Sequence, residues 1–217
     1  MRKFTLIAVL IAVTALCTGV PSRAQDTTPT PVKVIFSDDF STRANRWNTF
    51  DLGKAKIDFD ETVSPSVLAI TAQQSNYSLW TIPDSDLKLP RFDMQADLTF
   101  GSGGDEALAG MMLQYFSEND MTVLAITPTG EVHLGRLYFG LWRDLIPPAR
   151  VVVDSGQPIT LRAIVDQQHT LRIFVDDQPT GGTTLTSFKA AGFGLFAMTG
   201  ETGGISAAFH RFAIVDV

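Results

Sequence analysis

The chain has 217 residues, 45% hydrophobic and 18% charged, which supplies enough apolar side chain for a packed core and too little charge for a disordered polymer. That length fits one domain. A formal net charge of −6 argues against nucleic-acid phosphates and anionic membrane surfaces as partners.

Arg2 and Lys3 open the chain, and an almost wholly apolar run from Phe4 to Val20 follows, broken by Pro21. Ser22 and Ala24 put small residues at the two positions a signal peptidase reads. Residues 1–24 are therefore expected to be a signal peptide, cleaved to leave Gln25–Val217 with no membrane segment. Two rivals stay open. One is an uncleaved anchor, since the run approaches the ~17 residues a spanning helix needs. The other is acylation of Cys17, against which stands the bulky Leu16 before it. Cys17 is the only cysteine, so the cleaved protein would hold together by its core without disulfides. The expected location is secreted or cell envelope, in a bacterium. The leader removes Arg2, Lys3 and Arg23 and no acid, so the remaining domain is more acidic than the whole chain.

Residues 25–31 (QDTTPTP) read as a Thr/Pro spacer, and residues 32–217 as the domain. Its signals are all β, with no helical periodicity over 11 or more residues. In chain order the expected strands are Ala55–Phe59, Val67–Thr71, Ser78–Ile82, Arg91–Phe100, Leu108–Phe116, Met121–Thr127, Glu131–Phe139, Ile159–Val165, Thr170–Val175, Gly192–Met198 and Ile205–Val215. The clearest alternates Phe92, Met94, Ala96, Leu98 and Phe100 with Asp93, Gln95, Asp97 and Thr99, giving one buried and one wet face. Leu108–Phe116 is apolar almost throughout, as a central strand covered on both faces would be. Pro128–Gly130, Asp166–His169 and Asp176–Pro179 read as turns, and Gly101–Gly104 as a loop. About a dozen short strands between such turns predict a two-sheet sandwich.

The order of segments carries a resemblance. Asp38-Asp39-Phe40-Ser41 precedes Trp47. Leu98-Thr99-Phe100 leads to a Gly/Asp loop and then to Gly110-Met-Met-Leu-Gln-Tyr115. Ile126-Thr-Pro-Thr-Gly130, Trp142-Arg-Asp-Leu145, Leu171-Arg-Ile-Phe-Val-Asp176, Gly192-Phe-Gly-Leu195 and Ala208-Phe-His-Arg-Phe212 follow. From about Ser37 to Val217 the chain resembles the concanavalin A-like lectin/glucanase superfamily, nearest its laminin-G-like jelly rolls in bacterial extracellular proteins. The resemblance implies an all-β, two-sheet antiparallel jelly-roll β-sandwich, with carbohydrate as the ligand class. These segments are packing signatures and specify fold rather than function.

Glucanases of this superfamily carry a Glu-x-Asp-x-x-Glu strand, and this sequence has none. The nearest carboxylate pairs are Asp58 with Asp60, two residues apart on one strand face at ~6.6 Å, and Asp93 with Asp97, which share a strand face with Gln95 between them. A wet sheet face carries such charges with no catalytic role. The resemblance also places a structural calcium near the joined termini, with Asp38, Asp39 and Asp216 as its candidate ligands; no other cofactor is implied. His133, His169 and His210 are scattered, and no Gly-x-Ser-x-Gly elbow is present. The strongest binding candidate is the segment from Arg136 to Asp144, where Tyr138 and Trp142 flank Gly140 near Arg136, Arg143 and Asp144. Trp142 could equally cover an edge of the core, while Trp47 and Trp80 read as core. The leading expectation is a non-catalytic module for carbohydrate or a cell-surface partner. The alternatives are a glycoside hydrolase and a structural or adhesive domain.

Overall fold

Period-two alternation dominates the chain, and it folds as that period requires. The structure, a computed structural model, describes residues 33–217 apart from 155, 186 and 187. The expected leader and spacer lie outside the described residues.

Two antiparallel sheets form. The larger has nine strands: β1 (Val34–Asp38), β2 (Phe50–Asp51), β3 (Ala55–Asp60), β4 (Val67–Ala72), β6 (Phe92–Gly103), β12 (Ile159–Val165), β13 (Thr170–Val175), β14 (Gln178–Thr184) and β16 (Ile205–Val215). Its order is β14-β13-β12-β6-β16-β4-β3-β2, and β1 pairs with β16. The smaller has seven strands: β5 (Ser78–Thr81), β7 (Leu108–Ser117), β8 (Asp120–Ile126), β9 (Glu131–Tyr138), β10 (Leu141–Asp144), β11 (Ala149–Arg150) and β15 (Gly192–Met198). Here the order is β10-β9-β8-β7-β15-β5, and β11 pairs with β9.

Alternate residues of the two sheets meet in one core. Phe92, Met94, Ala96 and Leu98 of β6 and Phe209, Phe212 and Ile214 of β16 pack with Met111, Leu113, Leu124, Leu134 and Leu195 of the smaller sheet. A second apolar layer covers the other face of the smaller sheet. It comprises Met112, Met121, Val123, Ala125, Leu137 and Phe196, flanked by the partly buried Trp80, Tyr115, Trp142 and Met198. This is why β7 is apolar almost throughout: both of its faces are covered. Trp47 is core, as expected, but it sits outside any strand. Trp80 is only partly buried, because it belongs to this second layer rather than to the space between the sheets.

The eleven expected strands all form, and five more appear: β1, β2, β10, β11 and β14. The expected loop at Gly101 instead continues β6 as far as Gly103, where Ser102 and Gly103 pair with Ser206 and Ile205. The expected turn Asp176–Pro179 is shorter. Asp176 and Asp177 make a two-residue hairpin loop at φ 48° and 61°, and Gln178 and Pro179 already belong to β14. Aspartate tolerates that left-handed backbone better than most residues, and it suits a type I′ hairpin.

Candidate binding groove

β9 and β10 form a hairpin closed by Phe139 and Gly140 at φ 48° and 75°, with Leu141 opposite Tyr138. Its register decides which side chains share a face. Trp142 lies opposite Leu137, which is buried in the outer apolar layer. Arg143 lies opposite Arg136, on the other face.

On that other face the hairpin walls a groove, where the smaller sheet's edge approaches the end of β14. One part, about 510 Å³, is lined by Gln114, Asp120, Thr122, Arg136, Phe188 and Lys189 among others. The adjoining part, about 520 Å³, is lined by Asp120, Arg136, Tyr138, Arg143, Asp144 and Leu145. Four of the five sequence-predicted binding residues, Arg136, Tyr138, Arg143 and Asp144, therefore come together here. Trp142 does not join them.

The groove floor is fixed by hydrogen bonds. Buried Thr122 donates its hydroxyl to Gln114 Oε1 at 3.1 Å, and Gln114 Nε2 donates to the Lys189 carbonyl at 2.8 Å. Arg136 is clamped by Asp120: Nε donates to Oδ1 and Nη2 to Oδ2, both at 2.8 Å. The Asp120 carboxylate pushes the Arg136 guanidinium further above its already high value, so it is charged at every ordinary pH. The Arg136 guanidinium carbon stands 5.3 Å from the centre of the Tyr138 ring, a cation–π contact that orients the ring. Tyr138 is 51% exposed, Phe139 67% and Leu141 75%, so the hairpin tip offers three large apolar side chains to solvent.

Trp142 is held on the opposite side. Its indole lies flat over Gly135, stacks on Phe196 at 6.1 Å, and donates Nε1–H to Asp144 Oδ1 at 2.9 Å. His133 Nδ1 sits 3.1 Å from the same oxygen. A smaller pocket of about 220 Å³, lined by Phe50, Leu52, Tyr77, Leu79 and Trp80, lies where β2 meets β5 at the other edge of the sandwich.

The remaining candidates are placed as follows. Asp93 and Asp97 face outward on β6. Asp93 receives Arg162 Nε at 2.8 Å and Nη2 at 2.5 Å. Asp97 receives Thr160 Oγ1 and Arg211 Nε, each at 2.9 Å. Asp58, beside Asp60 on β3, is paired with Arg43 at 3.2 Å and Lys56 at 3.4 Å. The calcium candidates do not converge. Asp38 pairs with Phe212 at one end of the β1–β16 ladder, whereas Asp216 lies past Val215 at the other, ~13 Å away along the strand. Asp38 is also satisfied internally, accepting from Trp47 Nε1 (2.7 Å), Asn45 Nδ2 (2.9 Å) and the Phe40 N–H (2.7 Å). Asp39 accepts from Ser41, and Asp216 pairs with Arg91 at 3.3 Å. Among the described residues no three His, Cys, Asp or Glu side chains gather as a metal site.

The groove residues missed from sequence are Gln114, Asp120, Thr122 and Lys189. They reach the hairpin through strand pairing and a long-range side-chain contact, for which the linear sequence carries no local signal.

No family model and no curated protein matches the chain. Solved structures do. The carbohydrate binding module CBM66 from Bacillus subtilis aligns with a TM-score of 0.60 and 13% identity, over 78% of this chain and 95% of that one. The β-glucanase of Bacillus licheniformis aligns with a TM-score of 0.63 and 8% identity, over 85% of this chain and 99% of that one. A glycoside hydrolase family 16 protein of the Bacteroides ovatus mixed-linkage glucan locus gives 0.60 and 13%, over 82% and 99%. At such identities the likeness is one of fold, and with the strand order above it shows that the chain is an all-β, two-sheet antiparallel jelly-roll sandwich of the concanavalin A-like kind.

Proposed function

We propose that this protein is a non-catalytic carbohydrate-binding module, secreted or held at the cell envelope and nearest in kind to the laminin-G-like jelly rolls. The observation that carries the reading is the groove wall. Tyr138 presents an exposed ring beside the Arg136–Asp120 pair, so an apolar stacking surface adjoins a fixed row of donors and acceptors. Sugar rings are recognised in this way, by stacking on one face and hydrogen bonding at the hydroxyls. Phe139 adds to it: a large exposed aromatic held at φ 48° is disfavoured by its own backbone, and strain of this kind gathers at functional sites.

The non-catalytic reading is supported by the state of the carboxylates. Both oxygens of Asp93 are taken by Arg162, and both oxygens of Asp97 by Thr160 and Arg211. Neither is free to donate a proton to a leaving group while the other activates water.

The test is a glycan and polysaccharide array followed by calorimetric titration of each hit. Tyr138→Ala is expected to weaken a hit by roughly tenfold or more, given what a stacked aromatic contributes. A hit that Tyr138→Ala leaves unchanged removes the groove from the binding site. Silence across a broad array moves the search to protein partners, and sugar release by the protein would restore the hydrolase reading.

A further inference from the structure

We propose that the groove is built for an anionic polysaccharide, one carrying carboxylate or sulfate groups. This deepens the carbohydrate reading above and rests on it.

The β9–β10 register sets two guanidinium side chains, Arg136 and Arg143, directly opposite each other on one face. Like charges in that relation cost stability unless an anion lies between or beside them. Two acids line the groove, and the first is fully used: Asp120 gives both of its oxygens to Arg136. The other acid at the groove, Asp144, turns its Oδ1 to Trp142 and His133 on the far side of the hairpin. Among the described residues no carboxylate lies within 4.0 Å of the Arg143 or Lys189 side chains, although both line the groove and both are exposed. The chain as a whole is net negative, yet this groove gathers three cations, two of which have no ion-pair partner among the described residues. A local reversal of the overall charge draws an anion to one place and leaves the rest of the surface repelling it.

The geometry names the chemistry. A guanidinium meets a planar carboxylate, or two oxygens of a sulfate, through paired N–H donors. Arg143 is the free guanidinium, and Tyr138 stands on the same wall to receive the face of the sugar that bears the acid. Lys189, which lines the adjoining cavity, supplies a second positive point for a neighbouring residue of the polymer. A repeating acidic glycan satisfies both at once.

The experiment titrates the protein with two matched pairs: oligogalacturonate against its methyl ester, and dextran sulfate against dextran. Each titration is run at low and at physiological ionic strength, beside a panel of neutral glucans and xylans. The charged member of at least one pair is expected to bind at least ~10-fold more tightly than its neutral counterpart and to weaken as salt rises. Which pair responds tells carboxylate from sulfate. Arg143→Gln is expected to lower that affinity roughly ten- to a hundredfold, as loss of a charge-assisted bond does, and Arg143→Lys to restore it only in part. Arg172→Gln, exposed on the outer face of the larger sheet, removes the same charge away from the groove and is expected to bind as the unaltered protein does. Equal binding of charged and neutral members, or an Arg143→Gln variant that binds normally, overturns the anionic inference and leaves the carbohydrate reading standing. Binding confined to neutral glycans has the same meaning. Binding to nothing in either the pairs or the panel overturns both.

Discussion

Asp38 holds together the entrance to the larger sheet. Buried carboxylates are costly unless their oxygens are satisfied, and this one accepts three N–H groups, from Trp47, Asn45 and the Phe40 backbone. Trp47 in turn packs edge-on against Phe36 and Phe212, so one side chain links the loop after β1 to the aromatic core. Asp38→Ala would leave the buried Trp47 Nε1–H and Phe40 N–H without a partner, Asn45 keeping the Ser37 carbonyl, and is expected to lower stability by about 3 kcal/mol in denaturant unfolding. Asp38→Asn turns an amide N–H₂ toward at least one of those donors and should fall between the two. A metal-binding role would instead make the loss depend on added calcium, and the network predicts that it does not.

At the scale of the element, β10 shows what a four-residue strand needs to stay in place. Trp142 lies on Gly135 so closely that a Cβ there would come within 2.2 Å of its ring. Glycine is required at position 135 for this close approach rather than for backbone freedom. Gly135→Ala would lift the indole off Phe196 and is expected to cost about 2 kcal/mol, with the tryptophan fluorescence shifting toward that of a solvent-exposed ring. Unchanged emission would mean that the indole is held by Asp144 alone. The contrast with β6 explains how much the sequence reveals. Phe92 to Phe100 announces its strand by alternation that is independent of its partners. Phe50–Asp51 and Ala149–Arg150 are two residues long, carry no period, and exist only because β3 and β9 offer them a ladder. The binding candidates divide the same way. Arg136, Tyr138, Arg143 and Asp144 share one hairpin and can be gathered by eye, whereas Asp120 and Lys189 arrive from separate elements. Trp142 was the most prominent of the set in sequence, yet strand parity sends it to the opposite face.

Across the whole molecule, the outer face of the larger sheet holds a titratable group near its centre. His210, on β16, bonds through Nε2 to the Thr99 hydroxyl at 2.9 Å. Burial lowers its pKa below 6.5, opposed by the charge of Asp97 nearby. In this situation the unfolded chain takes up a proton that the folded chain resists. The contribution of His210 to stability is therefore complete above pH 6.5 and is lost as pH falls below 6.5 toward the folded value. Melting temperature should decline from about pH 7.5 to about pH 5.5, a range in which most carboxylates stay ionised. His210→Gln, which keeps a polar partner for Thr99, should flatten that decline, and a parallel slope in the variant would assign the effect elsewhere.

The two sheets end in β14, β2, β10 and β5, and these end strands share a further property. β2 is two residues long, and β5 and β10 four each. β14 is longer, but Pro179 removes one of its backbone donors, Gly181 and Gly182 weaken its extension, and its pairing with β13 is interrupted by a bulge. A neighbouring molecule that approached any of these rims would find few consecutive free N–H and C=O groups on which to extend the sheet. The same irregularities that make the rims hard to see in the sequence also keep copies of the protein from polymerising edge to edge, so it should remain dispersed at high concentration without a disulfide or a partner to cap it.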